Sequence, residues 1–371
     1  MTDPRTIVIA PDSFKGSVTA ADAAVAIAEG WVRSSPADTF TLRPMADGGE
    51  GTVDAFEKAI PDAKRVPVRV TGPAGAPVNS SWLRLPATDE LPGGTGVVEL
   101  ANTSGIELLG DERRPLDAST LGFGQAIKAA LDAGVSRLVL GIGSSASTDG
   151  GMGLLTALGA RFLNDFGASV VLGAAGLDEL ASADLSRLAP LPAGGVTVLS
   201  DVTNPLSGPK GAAAVFGPQK GLEGETIERA DAGLARLAEV LGRADLAETA
   251  GAGAAGGTGF ALLVWGASLV PGSAEVAELT GIAADIAGAD LVVTGEGRYD
   301  GQSEDGKAPA HVAALARAAG VPVAIVAGAI DGDVSRFSQA VSLTEVAGST
   351  AAALADPQRW LRDAGEILGR A

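Results

Sequence analysis

The 371-residue chain contains no cysteine. Disulfide frameworks, zinc ribbons, thiolate-held iron–sulfur clusters and cysteine nucleophiles are excluded at once. Histidine occurs once, as His311. A three-histidine metal site within one chain is impossible, and a Ser-His-Asp triad would have to use His311. Hard-cation chemistry through carboxylates stays open. Aromatic residues make up only 4%, so the core must be built from Ala, Val, Leu and Ile. Positive charge is scarce: 27 basic residues face 45 acidic ones, a net charge of −18, and no basic run is longer than Arg113–Arg114. Nucleic acid and anionic membrane are therefore not expected partners. The most apolar stretch, Phe260 to Val270, falls far short of the ~20 residues of a membrane span. The opening MTDPRTIVIAPDS lacks the apolar run of a secretory signal. The expected location is the cytoplasm, and the length suggests about two domains.

Lysine is rarer still. Seven are present, and four of them, Lys15, Lys210, Lys220 and Lys307, sit in Gly/Pro/Ser-rich segments. A lysine in a glycine-rich loop is a point charge able to reach a phosphate. One such lysine would be ordinary loop solvation; four together point toward an anion site.

Along the chain, strand–loop–helix units alternate. Thr6 to Ala10 is a β-branched strand, PDSFKGS follows, and a helix begins after Thr19, with Asp22 three residues on in the manner of a capping box. Thr39 to Leu42 leads into PMADGGEG and a second helix. Short alternating strands at Arg65–Val70, Ser81–Leu85 and Val97–Leu100, separated by Gly/Pro turns, read as antiparallel. The α/β rhythm then returns. Strands at Arg137–Gly141, Val196–Leu199 and Asp290–Thr294 each deliver a polar, glycine-rich loop. The expected architecture is two α/β domains. A Rossmann-like or flavodoxin-like parallel-sheet domain would be made from both termini, residues 1–68 and 285–371. A second, mixed α/β domain, residues 69–284, would be inserted into it.

Most of these loops contain an acid or a lysine. They supply Asp12, Ser13 and Lys15; Asp47 and Glu50; Ser144, Ser145 and Asp149; Asp201, Asn204, Lys210 and Lys220; and Glu296, Arg298 and Lys307. Glycine lets backbone amides approach a phosphate. Carboxylates can hold Mg²⁺ and one can accept a proton. Together these are the requirements of phosphoryl transfer. Each segment also has a plainer reading: DGG and NPL are turn sequences, and Asp149 could cap a helix. No Walker A pattern is present. Asp201 is the favoured base, because it follows the strand Val196–Leu199 and precedes Asn204–Pro205, which stiffens the loop. Asp12 and Asp149 compete for that role, and Lys15 is the favoured catalytic lysine. Asp47, Glu50 and Glu296 are the expected metal carboxylates. Ser13, Ser144, Ser145, Asn204, Lys210, Lys220, Arg298 and Lys307 are the expected substrate or phosphate contacts.

The strings IAPDSFKGS, MADGGEGT, GIGSSASTDGGMG, DVTNPLSGPKGAAAVFGPQKG and VVTGEGRYDGQSEDGKAP occur in this order. In this they resemble the bacterial glycerate kinases whose N-terminal loop reads DSFKG. The resemblance runs from Ile9 to about Pro309. It implies ATP- and Mg²⁺-dependent phosphorylation of D-glycerate, commonly to 2-phosphoglycerate. One departure stands out: Ser144 occupies a position where that family usually has glycine, and Ser147–Thr148 replace a Thr-Asn pair. Alternative readings are a kinase for another small hydroxy or sugar acid, and a non-catalytic protein binding an anionic metabolite. The oligomeric state stays open.

Overall fold

The computed structural model describes residues 3–14, 16–300 and 308–370. Its strands, in chain order, are β1 (Thr6–Pro11), β2 (Thr39–Leu42), β3 (Lys64–Thr71), β4 (Pro77–Leu85), β5 (Thr95–Glu99), β6 (Arg137–Gly141), β7 (Arg161–Leu163), β8 (Ser182–Asp184), β9 (Val196–Leu199), β10 (Ser268–Val270), β11 (Leu291–Tyr299), β12 (Val323–Ile330) and β13 (Gln339–Ser342). The chain divides into two compact units. One comprises Met1–Asp47, Asp54–Pro61 and Pro271–Ala371; the other comprises Gly48–Val53 and Asp62–Val270. Boundaries at 68/69 and 284/285 would instead cut through β3 and through the helix Ile282–Ala287.

The first unit holds a five-stranded sheet in the order β13-β12-β11-β1-β2, with every pair parallel. Counted within the unit this is the flavodoxin-like order. Both faces of such a sheet are covered by helices, so its strands are buried runs: Ile7, Val8 and Ile9, and likewise Val292 and Val293, are fully buried. The helix Ala20–Ser34 starts as its sequence predicts. Thr19 Oγ1 accepts from the Asp22 amide at 3.1 Å and donates to the Asp22 carboxylate at 2.8 Å. This helix packs on the C-terminal helix Pro357–Gly369 at backbone distance. A Cβ on Gly30 would lie 1.8 Å from the Arg362 carbonyl oxygen, and one on Gly365 would lie 2.1 Å from that of Ile27. Small residues at this crossing do the work that large apolar side chains do elsewhere.

The second unit holds a six-stranded mixed sheet in the order β10-β9-β6-β5-β4-β3. Pairs β3–β4 and β4–β5 are antiparallel, as the alternating strands predicted. Pairs β5–β6, β6–β9 and β9–β10 are parallel. A two-stranded antiparallel pair, β7–β8, lies outside that sheet. Helices Leu121–Asp132 and Glu225–Val240 contribute Phe123, Ile127, Leu234 and Leu237 to the core. Each such side chain, fully buried, contributes roughly 1.5–3 kcal/mol. No described helix is long and apolar enough to cross a membrane.

Candidate active site

In the first unit the chain leaves β1 for β2 on one side and later returns to β11 on the other. The crevice beyond the carboxyl ends of β1 and β11 is therefore the topological switch point, where open α/β sheets bind ligands. The Asp12 amide extends the ladder past β1, donating to the Gly295 carbonyl at 2.8 Å. This sets Asp12 beside the Gly295–Glu296 step of β11. A cavity of about 360 Å³ opens there. Its lining includes Asp12, Ser13, Asp47, Glu296, Arg298 and Asp300. Asp12 and Glu296 are each only 7% exposed. One Asp12 oxygen accepts the Ser13 amide at 2.7 Å. Arg298 is exposed and shares its charge with Asp331 at 2.7 Å. Lys15 and Lys307 lie outside the described residues.

The glycines of the TGEGR run have a packing reason. A Cβ on Gly295 would sit 2.3 Å from the Val326 carbonyl oxygen, and one on Gly328 would sit 2.3 Å from that of Gly297. Further lining comes from segments that carried no sequence signal: Leu343, Thr344, Thr350 and Leu354. Of the expected metal set, Asp47 and Glu296 meet here. Glu50 does not line this cavity; it is exposed and belongs to the other unit. Among the described residues no group of three or more His, Asp or Glu side chains is arranged to hold a metal ion. A pair of carboxylates nonetheless suits Mg²⁺, which keeps waters and substrate phosphates as its remaining ligands.

In the second unit the polar loops gather at the carboxyl ends of three adjacent strands, β5, β6 and β9. Glu99, at the end of β5, is 4% exposed. Its carboxylate accepts the Gly51 amide at 3.3 Å and the Val53 amide at 3.0 Å. It thereby caps the start of the helix Thr52–Ala59 that follows the DGGEG loop. Sequence reasoning passed over it; the signal was an acid inside the apolar run Gly96–Leu100.

The loop after β6 is built around Asp149, which is fully buried. One oxygen accepts from the Thr120 amide and the Thr120 hydroxyl, both at 2.9 Å, and from the Gly153 amide at 3.2 Å. The other accepts from Ser147 Oγ and the Gly151 amide, both at 3.1 Å. A carboxylate so engaged orders a loop; a base needs an oxygen open to substrate. Gly150 and Gly151 have φ of 63° and 73°, and side chains there would strike Leu237 and Ala261. Ser144 also has a positive φ, 58°, a conformation that glycine adopts far more readily than serine. It is exposed, whereas Ser145 is buried.

Lys220, expected as a substrate or phosphate contact, lies inside the second unit. It is 3% exposed, and its Nζ donates to Ser145 Oγ at 2.7 Å and to the Ser147 carbonyl at 2.6 Å. Burial pushes its pKa down to about 7, with the Asp149 charge opposing the shift. Lys210 is exposed. Its carbonyl accepts Asn204 Nδ2 at 2.8 Å, and the Asn204 carbonyl accepts the Gly253 amide at 2.9 Å. These bonds brace the loop that carries Asp201, which is exposed just beyond β9. His311 lies half-buried on the helix Ala308–Ala319, its pKa lowered by burial.

The model of the glycerate kinase family matches residues 7–371. A glycerate kinase of Bacillus subtilis (strain 168) is 43% identical over 333 residues, covering 88% of this chain and 86% of its own. Glycerate 2-kinase of Escherichia coli (strain K12) is 42% identical over 339 residues, covering 90% and 87%. A crystal structure assigned as glycerate kinase 2 from Salmonella typhimurium LT2 superposes with a TM-score of 0.82 at 39% identity, covering 99% of this chain and 98% of that one. With a family match over nearly its whole length and named relatives well above 30% identity, this chain belongs to the glycerate kinase family.

Proposed function

We propose that this chain transfers the γ-phosphoryl group of ATP to a hydroxyl of D-glycerate, with 2-phosphoglycerate as the favoured product. Family membership supports the kinase reaction and the substrate. The observation that carries the site is the pairing of two nearly buried carboxylates, Asp12 and Glu296, at the switch point of a flavodoxin-order sheet. A pure anion binder has no use for acids there; a magnesium-dependent kinase does.

In the reaction a glycerate oxygen bonds to the γ-phosphorus, the bond to the ADP oxygen breaks, and the hydroxyl proton passes to a carboxylate. Asp12 is proposed as that acceptor, on the strength of its place in the cavity. Asp201, which the sequence favours, is the competing proposal. Asp47 and Glu296 would hold Mg²⁺; when bound, the ion neutralises phosphate oxygens as charge shifts toward ADP. Arg298 is proposed to meet anionic oxygens, and Lys15 and Lys307, outside the described residues, are the further cations that the sequence offers for that role. With ATP as donor, the cytoplasm is the proposed compartment.

A coupled ADP-release assay with D-glycerate, run with Mg²⁺ and again after EDTA, tests this reading. Glycerate-dependent turnover lost on chelation and restored by Mg²⁺ is expected. ADP release with another hydroxy acid and none with glycerate would overturn the substrate. NMR of the product separates 2- from 3-phosphoglycerate.

A further inference from the structure

A lysine with its ammonium out of water is costly unless the structure uses it. Lys220 sits on the short 3-10 turn Pro218–Lys220, and its side chain runs under the loop that follows β6. That loop is held along its length. The Ile106 amide donates to the Ser144 carbonyl at 2.8 Å, and the Ala146 amide donates to the Ser104 carbonyl at 3.1 Å. Beyond Ser147, Asp149 ties the loop to Thr120. Between these anchors, Ser145 Oγ and the Ser147 carbonyl both accept from Lys220. Ser144, exposed and with a positive φ, stands just before the segment that Lys220 grips.

We infer that Lys220 is a positioning residue for the kinase reaction: it holds the Ser144–Ser147 backbone from beneath, in the shape that meets an anionic substrate group, and contacts no phosphate itself. The inference rests on the glycerate kinase reading, and on this loop lying at the carboxyl end of a parallel strand next to the one that carries Asp201. The reason for a lysine rather than an apolar residue is geometric. Only a long donor can satisfy a hydroxyl and a buried carbonyl at once, whereas an apolar side chain would leave that carbonyl without its bond.

Lys220→Met keeps much of the volume and removes the donors. Expected is a drop in kcat/KM for glycerate of ~10²-fold, the scale of a small misplacement of reacting groups. Its melting temperature should fall, since the Ser147 carbonyl loses its buried donor, so the kinetics are read well below that midpoint, where the variant is fully folded. A purely structural role predicts the same fall in melting temperature with kcat/KM unchanged in the folded protein. Because the chain has no native cysteine, Lys220→Cys can be aminoethylated uniquely before refolding, which rebuilds an ammonium of nearly the same reach; recovery of most of the lost kcat/KM is expected. If Lys220→Met does not fold, Ser145→Ala removes one acceptor alone, and a several-fold loss in kcat/KM is expected. A kinase-active parent matched within about threefold by the folded Met variant, or by Ser145→Ala, overturns the role of Lys220. A parent that releases no ADP with glycerate overturns the kinase reading on which the role depends.

Discussion

Asp149 holds Thr120 twice: a single carboxylate oxygen accepts both the Thr120 amide and the Thr120 hydroxyl at 2.9 Å. The same threonine hydroxyl also receives the Leu154 amide at 2.9 Å. The start of the helix Leu121–Asp132 and the start of the helix Met152–Ala157 are thus tied to one buried acid. In Asp149→Asn the new amide would point donors at donors. We expect a stability loss of roughly 2–4 kcal/mol, the scale of buried polar groups left mismatched, seen as a lower midpoint in urea. A parental midpoint with activity reduced ~10²-fold would instead return Asp149 to the list of bases.

The two candidate bases are separable by parallel kinetics. Asp12→Asn should lower kcat by ~10²-fold or more, the scale of general-base catalysis. Asp201→Asn, on an exposed loop braced by Asn204 and Lys210, should stay within a few-fold of the parent. The opposite ranking would assign the proton to Asp201.

Lys220 makes a signed prediction about pH. Its pKa is lowered by burial to about 7, while an unfolded lysine keeps its proton to near 10.5. Between these values the unfolded chain binds the extra proton, so stability rises with pH. Below about 7 both states are protonated and the burial cost is constant. The melting temperature of the parent, relative to Lys220→Met, should therefore climb from pH 7 to pH 10. A difference that is flat across that window would place a charged, solvated lysine at 220.

Ser144 occupies left-handed backbone at φ 58°, which costs an L-residue roughly 1–2 kcal/mol. Glycine relieves that strain but gives back part of the gain as unfolded-chain entropy. Ser144→Gly should raise stability by about 0.5–1 kcal/mol in thermal unfolding. A lower melting temperature would mean that the Ser144 side chain makes compensating contacts.

Much of this protein is legible in its sequence, because strands and helices are written in local periodicity. The β-branched run of β1, the Thr19 capping box and the short apolar strands β2, β6 and β9 are set by side-chain pattern and backbone sterics alone. The loops that carry Asp12, Asp149, Asp201 and Glu296 could be named for the same reason, since each interrupts such a pattern with glycine and an acid. What a residue does inside its loop is a different matter, because it depends on partners far along the chain. Lys220 reads as a loop lysine reaching for a phosphate until the fold sets it under Ser145 and Ser147, more than seventy residues away. Asp149 resembles a base until Thr120, the Ser147 hydroxyl and the Gly151 and Gly153 amides fill its oxygens. The meeting of Asp12 with Glu296 has no local signature either. It exists because β1 pairs with β11, 284 residues later, and parallel pairing of distant strands is a property of the whole sheet.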